Sequence, residues 1–447
     1  MKILAFTAGA ANMYCGSCLR DNALAAELKR QGHDVILMPM YTPTRTDEPN
    51  VSDSRVFMNG ITLCLEQQSA FFRKTRWLLD GVWDAPWMLR LATKTSIAVN
   101  PRVLGEMTVS MLRGEDGYQR KDLGKLTSWL TSWPTTEAPA DIVTLPNCLL
   151  SGLAKSIRLA TGRPLCCTLQ GEDLFLSQLP EPYRSQAWEL IRANVAHVDG
   201  YAAVSEFAAA WWREHLGIPA HRMHVVPLGI NLVDINPEGC GPEGLDGGLR
   251  VHSGRFTVGY LARVAPEKGL HLLAESYIRL RRETDFGGAV LEAAGYLAPE
   301  HRGYLRGIEK QMKDAGFASE FRYRGELDRV HKIEFLRDLD VMSMPCTYDE
   351  PKGLSVLEAM ANGVPVVQPR RGAFPEILAR TGGGILVEPD DAGSLARAIH
   401  GLWKNREQLA ELGRRGAQGV REHYSVAQMA ARTLEVYRSV AKPPVHA

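Results

Sequence analysis

The chain has 447 residues, of which 45% are hydrophobic and 23% are charged, and its formal net charge is +1. A single hydrophobic core rarely grows beyond about 250–300 residues, so this length indicates two domains. Because the charges nearly balance, no global field favours nucleic acid or an anionic membrane, and any charged partner must be bound locally.

The first residues, MKILAFTAG, contain a short apolar run that predicts a buried strand over 2–8. A secretory signal needs a longer apolar core and a small-residue cleavage site. No stretch reaches the ~18 uninterrupted apolar residues of a membrane span. Eight cysteines are too sparse for a disulfide framework, and the adjacent Cys166 and Cys167 suit reduced, buried thiols. These features predict a cytoplasmic protein.

Cys15 and Cys18 have C-x-x-C spacing near the predicted start of a helix. A four-ligand zinc site would need a second such pair, which the sequence lacks. Two interpretations stay open. One is a redox dithiol, favoured by the helix N-terminus, and the other is a pair of small residues packed in a tight turn.

Short apolar runs alternate with helical patterns along the first half of the chain. Residues 18–31 predict an amphipathic helix that ends at Gly32, and 33–40 predict the next strand. The strand–helix–strand alternation predicts an α/β fold with a doubly wound parallel sheet. Further strands are predicted over 141–148, 163–170, 200–205 and 223–230.

Residues 69–135 interrupt that alternation with an aromatic and basic insertion that we expect to be helical. Its segment 69–94 interleaves Phe and Trp with Arg and Lys. This segment could lie on an anionic lipid surface at the inner face of the membrane. It could equally offer aromatic platforms to a ligand, or form a helical pair packed on the first domain. These interpretations stay open.

Residues 236–255 are rich in glycine and proline and predict an exposed connection between domains. The predicted domains are therefore 1–235 and 256–424, followed by a helix and tail, 425–447, whose packing back on the first domain stays open. Two doubly wound domains would face each other across a cleft at the carboxyl ends of their strands. Strands of the second domain are predicted over 256–263, 289–297, 321–327, 340–345, 365–369 and 384–388.

The strongest motif is EPKGLSVLEAMANGVPVV, residues 350–367. Gly353 and Leu354 fall at the predicted start of a helix, where open N–H groups and the helix dipole favour an anion. Glu350 in the preceding loop could accept hydrogen bonds from sugar hydroxyls, and Glu358 in the helix from a ribose diol. The ordinary alternatives are a solvated loop charge and a helix-surface residue. However, Glu358 lies among apolar residues, where a carboxylate needs a partner or a function.

A second motif, GYLARVAPEKG, places Arg263 at the end of a strand and Lys268 at the start of a helix predicted over 267–282. Two cations at the carboxyl end of a sheet can flank a diphosphate, Arg through paired hydrogen bonds and Lys as a point charge. Both would also stabilise the negative charge on a departing diphosphate. The alternative is a surface loop with ordinary charges.

Together these motifs resemble the retaining glycosyltransferases of family 4, the glycosyl transferases group 1, which have the GT-B architecture of two Rossmann-like domains. The resemblance covers most of the chain and is densest in the second domain. Glu350 and Glu358 match the E-x7-E signature of the family, and Arg263 with Lys268 resembles its diphosphate-binding pair. Gly16, followed by an Ala/Leu-rich helix, resembles the opening loop of the family.

The resemblance implies a role for each matching residue. Arg263 and Lys268 would hold the donor diphosphate and act in catalysis. Glu350 would contact the donor sugar and Glu358 the ribose, while the backbone around Gly325 would meet the nucleobase. The implied donor-binding residues are Gly16, Arg263, Lys268, Gly325, Glu326, Glu350, Gly353, Leu354 and Glu358.

The implied reaction moves a hexose-type sugar from a UDP-, GDP- or ADP-sugar to a hydroxyl of a glycan, a lipid or a small molecule. Acceptor recognition is expected in the insertion 69–135, where the aromatic side chains of 69–94 could offer platforms to a sugar acceptor. It retains the anomeric configuration and uses neither a metal nor another cofactor, because the two cations take over that role. In the favoured account the acceptor hydroxyl attacks the face from which the diphosphate leaves, and a phosphate oxygen takes its proton.

Residues 168–173, TLQGED, depart from the family pattern. They resemble the segment that usually carries a histidine near the sugar, and Gln170 stands at that position. A glutamine can hydrogen-bond a sugar hydroxyl, but it cannot titrate near neutral pH. We therefore add Gln170 and Asp173 to the predicted catalytic residues, with Asp173 as a further polar contact to the donor sugar.

Two functions stay open at this point, an active transferase and a sugar-nucleotide-binding protein without transfer activity. The second is motivated by Gln170, and the first by the presence of both acids and both cations. A dehydrogenase is disfavoured, because the loop TAGAANMYCGS lacks the G-x-G-x-x-G spacing.

Overall fold

The computed structural model describes residues 1–9, 16–56, 101–133, 138–235 and 255–441. The chain divides into two compact units, one formed by Met1–Pro227 with Met429–Ala447 and the other by Leu228–Gln428. Three features of the sequence analysis lie outside the described residues. They are Cys15, the segment 69–94, and the connection 236–255 apart from its last residue, Arg255.

The first unit is built on a parallel six-stranded sheet with the strand order β2-β1-β3-β4-β5-β6. Its third and fourth strands are buried at every position, as is typical of parallel strands covered on both faces. The strands are β1 (Lys2–Thr7), β2 (Asp34–Pro39), β3 (Ile142–Leu145), β4 (Leu165–Leu169), β5 (Gly200–Ala203) and β6 (Met223–Val225).

Helices connect these strands in chain order. The described helices of this unit are α1 (Gly16–Arg30), α2 (Pro101–Leu112), α3 (Arg120–Ser132), α4 (Ala154–Thr161), α5 (Asp173–Ser177), α6 (Tyr183–Asn194) and α7 (Glu206–Leu216). Of the insertion predicted over 69–135, the structure therefore describes α2 and α3.

The second unit is built on another parallel six-stranded sheet, with the strand order β12-β11-β10-β7-β8-β9. From β7 the sheet grows outwards through β8 and β9, and the chain then returns to the other side of β7 with β10. This reversal is a topological switch point. The strands are β7 (Phe256–Leu261), β8 (Ala289–Ala294), β9 (Phe321–Tyr323), β10 (Val341–Met342), β11 (Val366–Pro369) and β12 (Gly384–Val387).

Helices again alternate with the strands of the second unit, and the last helix of the chain, α15, passes from this unit into the first. The helices are α8 (Leu270–Glu283), α9 (Arg302–Asp314), α10 (Arg329–Arg337), α11 (Leu354–Ala361), α12 (Phe374–Thr381), α13 (Ala392–Lys404), α14 (Arg406–His423) and α15 (Val426–Ala441). The predicted α/β class, with a doubly wound parallel sheet in each half of the chain, is confirmed.

Several predicted strands are longer than the observed ones, since those over 141–148, 321–327 and 340–345 are observed as Ile142–Leu145, Phe321–Tyr323 and Val341–Met342. Two further differences have a physical reason in the structure. The strand predicted over 223–230 ends at Val225, because Pro227 has no N–H group to continue the ladder. The helix predicted over 267–282 is interrupted at Gly269, which follows a 3-10 turn over Pro266–Lys268 and has a φ of +77°. A Cβ at Gly269 would lie 1.9 Å from the carbonyl oxygen of Pro345, so only glycine permits this close approach.

Candidate functional site

The loops after β7 and β10 come together at the switch point of the second sheet. Lys268 follows β7, and Glu350 follows β10, 82 residues further along the chain. The close contact of Gly269 with Pro345 holds the first loop against the second. Ligands of open parallel sheets bind beyond the carboxyl ends of the strands at such a point, so these two loops form the candidate site.

Lys268 and Glu350 form a nearly dry ion pair. The Lys268 Nζ lies 2.6 Å from the Glu350 Oε2, and the two side chains are 14% and 5% exposed. Burial alone would raise the pKa of the carboxyl group. The ammonium of Lys268 outweighs that effect, together with hydrogen bonds from Lys268 and Tyr348, and lowers the pKa of Glu350 to about 2. Glu350 is therefore an anion at ordinary pH.

Tyr348 joins this ion pair, although it is not among the predicted site residues. Its hydroxyl accepts a hydrogen bond from the Lys268 Nζ at 2.5 Å and donates one to the Glu350 Oε2. The ammonium also lies 4.8 Å from the centroid of the phenol ring. A lysine has three N–H donors. Two of them have acceptors among the described residues, so one remains for an incoming acceptor.

The same carboxylate also accepts hydrogen bonds from the backbone just before α11. The Glu350 Oε1 accepts hydrogen bonds from the backbone N–H groups of Lys352 at 3.1 Å and Gly353 at 3.4 Å. The first N–H groups of a helix have no intrahelical partner. Those of Leu354, Ser355 and Val356 have no acceptor elsewhere in the described ranges. Three N–H donors are thus open beside Lys268 and Glu350.

Arg263 belongs to the loop after β7, but its guanidinium is directed to a different acid. The Arg263 Nη2 lies 3.1 Å from the Glu267 Oε1, and the arginine side chain is 53% exposed. An exposed ion pair of this kind contributes little stability. The guanidinium can therefore leave Glu267 for a stronger anion at small cost.

Glu358 lies among apolar residues, and its carboxylate forms an ion pair with a lysine. The Lys332 Nζ, on α10, donates to the Glu358 Oε1 at 2.6 Å, and the two side chains are 14% and 17% exposed. Each acid of the E-x7-E signature is therefore paired with a lysine from another element. Neither lysine pairing follows from local sequence spacing, because the partners are 82 and 26 residues apart.

The residues predicted near the nucleobase lie after β9, at the same edge of the sheet. The carbonyl oxygen of Gly325 accepts a hydrogen bond from the N–H of Gly295 at 2.8 Å. The hydroxyl of Tyr323 donates to the carbonyl oxygen of Gly295 at 2.7 Å. These bonds tie the loops after β8 and β9 together, and the side chain of Glu326 is exposed.

The remaining predicted residues, Gly16, Gln170 and Asp173, lie in the first unit. Gly16 is the first residue of α1, and Asp173 is the first residue of α5 and is half-buried. Gln170 is only 2% exposed. Its Nε2 donates to the carbonyl oxygen of Pro146 at 3.1 Å, and its Oε1 is buried with no partner among the described residues.

The neighbouring Glu172 closes the turn that carries Gln170. Its Oε2 accepts the backbone N–H groups of Gln170 and Gly171, both at 2.8 Å. Glu172 therefore has a backbone role that the sequence analysis does not assign to it.

The described cysteines of the first unit are buried. They include Cys18, and Cys166 and Cys167 are free thiols. Burial raises the pKa of Cys166 to about 12. In the part of the chain that the structure describes, no group of three or more His, Cys, Asp or Glu side chains could hold a metal ion. Within the same ranges, no helix has the length and apolar character needed to cross a membrane.

Family models and relatives match both halves of the chain. Residues 247–419 match the model for glycosyl transferases group 1, and residues 111–234 match the model for glycosyltransferase family 4. The chain is 31% identical over 274 residues to the alpha-maltose-1-phosphate synthase of Mycolicibacterium smegmatis, which covers 59% of this chain and 69% of that protein. It is 26% identical over 300 residues to the GDP-mannose-dependent alpha-(1-6)-phosphatidylinositol monomannoside mannosyltransferase of Mycobacterium tuberculosis. The match covers 65% of this chain and 73% of that protein.

Solved structures share the fold over nearly the whole chain. Sucrose-phosphate synthase from Thermosynechococcus elongatus has a TM-score of 0.67 at 16% identity, with 98% of each chain covered. HepE from Anabaena, in complex with UDP, has a TM-score of 0.64 at 16% identity, with 98% of this chain and 100% of that chain covered. At this identity the likeness establishes the fold alone. The family matches and the fold agree with the family resemblance of the sequence, and the chain belongs to glycosyltransferase family 4, the glycosyl transferases group 1, as a glycosyltransferase with the GT-B fold.

Proposed function

We propose that this glycosyltransferase moves a hexose-type sugar from a nucleotide-diphosphate donor to a hydroxyl acceptor, with retention of the anomeric configuration. The observation that carries the proposal is the position of Lys268 next to the open N–H groups of α11 at the switch point of the sheet. A fixed ammonium beside a helix N-terminus is suited to phosphate oxygens.

The names of the relatives support a nucleotide-sugar donor. The mycobacterial mannosyltransferase is named for GDP-mannose, and HepE was crystallised with UDP and with UDP-glucose. The nucleobase would be bound by the backbone around Gly325, and backbone groups do not select one base. We therefore propose UDP-, GDP- and ADP-sugars as the donor classes. Residues Glu326 and Glu358 would complete this half of the site, with Glu358 accepting hydrogen bonds from the ribose diol.

In the proposed reaction the bond between the anomeric carbon and the diphosphate oxygen breaks, and the acceptor oxygen bonds to that carbon on the same face. The proton of the acceptor hydroxyl passes to a phosphate oxygen. Arg263 and Lys268, with the N–H groups near Leu354, would stabilise the charge that develops on the leaving diphosphate. Glu350 would orient the sugar through its hydroxyls.

We also propose donor-binding roles for three residues of the first unit, as the family resemblance implies. Gly16 would let the donor approach the backbone at the start of α1. Asp173 and Gln170 would contact the donor sugar. Asp173→Asn with unchanged kcat/KM would remove that residue from the site.

No metal or other cofactor takes part in the proposed reaction, because Arg263 and Lys268 supply the positive charge. We expect transfer to be unchanged after dialysis against a chelator. A loss of transfer that Mg²⁺ or Mn²⁺ restores would show that the two cations are insufficient.

The acceptor class and the location of the enzyme are proposals from the sequence. A glycan, a lipid or a small molecule would supply the hydroxyl. The basic and aromatic segment 69–94 would bring a cytoplasmic enzyme to the inner face of the membrane. Alanine at Arg73, Lys74 and Arg76 should weaken binding to anionic vesicles, and unchanged binding would dismiss the membrane contact.

A thermal-shift screen against UDP-, GDP- and ADP-sugars, followed by a transfer assay with the sugar that binds, tests the proposed function. A ligand that binds only the folded state adds about 2.7 kcal/mol at a hundredfold excess over its Kd. We expect one donor to raise the Tm and to be consumed. Tight binding without hydrolysis or transfer would instead favour a sugar-nucleotide-binding protein, and no binding by any donor would contradict the proposal.

A further inference from the structure

Glu350 places a permanent negative charge inside the proposed diphosphate site. The carboxylate is buried and has four hydrogen-bond donors, namely the Lys268 Nζ, the Tyr348 hydroxyl and the N–H groups of Lys352 and Gly353. Three of these donors are of the kinds that a phosphate oxygen uses, namely an ammonium and two backbone N–H groups beside the start of a helix. The acid therefore uses donors that a diphosphate would also favour.

A bound diphosphate must lie close to this carboxylate. A phosphate oxygen that accepts the third N–H of Lys268 is one hydrogen-bond length from Nζ, and the Glu350 Oε2 is 2.6 Å from the same atom. The two oxygens are thus at most about 5.5 Å apart. Like charges at this separation repel strongly where water is largely excluded, and the lowered pKa of Glu350 keeps it ionised beside the incoming anion.

The attached sugar changes the sign of the interaction at this carboxylate. Hydroxyl groups of the donor sugar can donate hydrogen bonds to a carboxylate, and bonds to a charged acceptor are about twice as strong as neutral ones. The spent nucleoside diphosphate has lost those hydroxyls, and it gains a negative charge at the freed phosphate once the proton taken from the acceptor dissociates. It meets the repulsion without the compensating bonds.

We propose that Glu350 makes the site discriminate against the spent nucleoside diphosphate in favour of the sugar-loaded donor, and thereby promotes release of the diphosphate product. This inference rests on the proposed function, because it presumes that a nucleotide-diphosphate sugar binds beside Lys268. It adds a role for Glu350 beyond orienting the sugar. Glu350 would weaken the binding of the free diphosphate and strengthen the binding of the sugar-loaded donor.

Isothermal titration of wild type and Glu350→Gln tests the inference, with GDP and GDP-mannose or UDP and UDP-glucose, whichever pair the wild type binds. The glutamine keeps the shape and one acceptor oxygen but removes the charge. We expect Glu350→Gln to bind the free diphosphate at least tenfold more tightly than wild type and to bind the sugar-loaded donor no more tightly. Glu350→Asp keeps the charge and should retain the wild-type preference within threefold.

Glu358→Gln is the matched control, because it neutralises the other acid of the same motif, which also pairs with a lysine. It should weaken both ligands by a similar factor, since both contain the ribose. If Glu350→Gln melts before titration, Glu350→Ala carries the same test. Free-diphosphate affinity that is unchanged or weaker in the folded neutral variant would overturn the inference. If the wild type binds neither pair, ADP and ADP-glucose are titrated in the same way, and failure to bind any of the three pairs would instead overturn the proposed function.

Discussion

Arg263 and Lys268 lie in one loop and share one proposed ligand, but their replacement leaves different acids without a partner. Replacing Arg263 leaves Glu267, whose ion pair with Arg263 is exposed. We expect Arg263→Gln to lower kcat/KM at least 100-fold, because one lost donor to a developing anion typically costs that much. Its Tm should stay at the wild-type value. Wild-type turnover would contradict the role of the guanidinium.

Replacing Lys268 leaves the buried carboxylate of Glu350 without its cation. Breaking a buried ion pair from one side costs about 3–5 kcal/mol, so Lys268→Met should lose stability as well as transfer. Chemical unfolding would measure the loss, and the double variant Lys268→Met with Glu350→Gln should recover most of it. A Lys268→Met protein as stable as wild type would show that the pair is not dry in solution.

The same ion pair makes stability depend on pH. The pKa of Glu350 falls from 4.5 to about 2 in the folded chain. Because the folded value lies below the unfolded one, the stabilisation is complete above about pH 4.5 and is lost as the pH falls toward 2. We expect urea unfolding to show a smaller loss of stability in Glu350→Gln than in wild type across that window. Parallel curves for the two proteins would contradict this assignment.

At the residue scale, the sequence identifies groups whose type and order carry the chemistry, and it misses their partners. Glu350 and Glu358 are visible because seven residues separate them in a recognisable motif. Tyr348 is not, since a tyrosine in a polar loop has many ordinary explanations. Its contact with Lys268 exists only after two distant strands become neighbours in the sheet.

At the element scale, the turn between β7 and α8 positions Lys268. Gly269→Ala would place a Cβ 1.9 Å from the Pro345 carbonyl oxygen, at a φ of +77°. We expect it to lower the free energy of unfolding by more than 1 kcal/mol and to reduce transfer. Gly303→Ala, on α9 with no atom within 4 Å of the added carbon, is the control. It should leave both measurements unchanged or raise stability slightly, and equal effects of the two variants would refute the steric argument.

Apolar runs predict most of the strands well, because parallel strands are buried on both faces and therefore lack polar residues. The prediction of a continuous helix over 267–282 was wrong, because the local pattern of apolar residues does not reveal a contact with another loop. The helical pattern is present, but Gly269 has a φ of +77° and lies so close to the Pro345 carbonyl oxygen of another loop that no Cβ fits there. Lys268 lies in the turn just before Gly269 and pairs with Glu350.

At the scale of the whole molecule, the last helix completes the first unit. Residues from Met429 onward belong to that unit, and Tyr437 is only 4% exposed. A Cβ at Gly200 on β5 would meet the Val440 Cγ2 at 2.4 Å, so helix and sheet are in close contact. The sequence leaves this packing open, because an amphipathic helix does not reveal which surface it covers.

Removal of residues 429–447 should therefore unfold the first unit, although its sheet ends more than 200 residues earlier. Limited proteolysis would show rapid cleavage within the range Met1–Pro227 and protection within Leu228–Gln428. A truncated chain that is as resistant as wild type in both ranges would contradict this account of the helix.

The central claim is that a diphosphate binds at the switch point of the second sheet. A crystal structure with the nucleoside diphosphate that gives the largest thermal shift tests it most directly. We expect phosphate oxygens within hydrogen-bond distance of the Lys268 Nζ and of an N–H group among Leu354, Ser355 and Val356. A diphosphate bound away from both would contradict the claim.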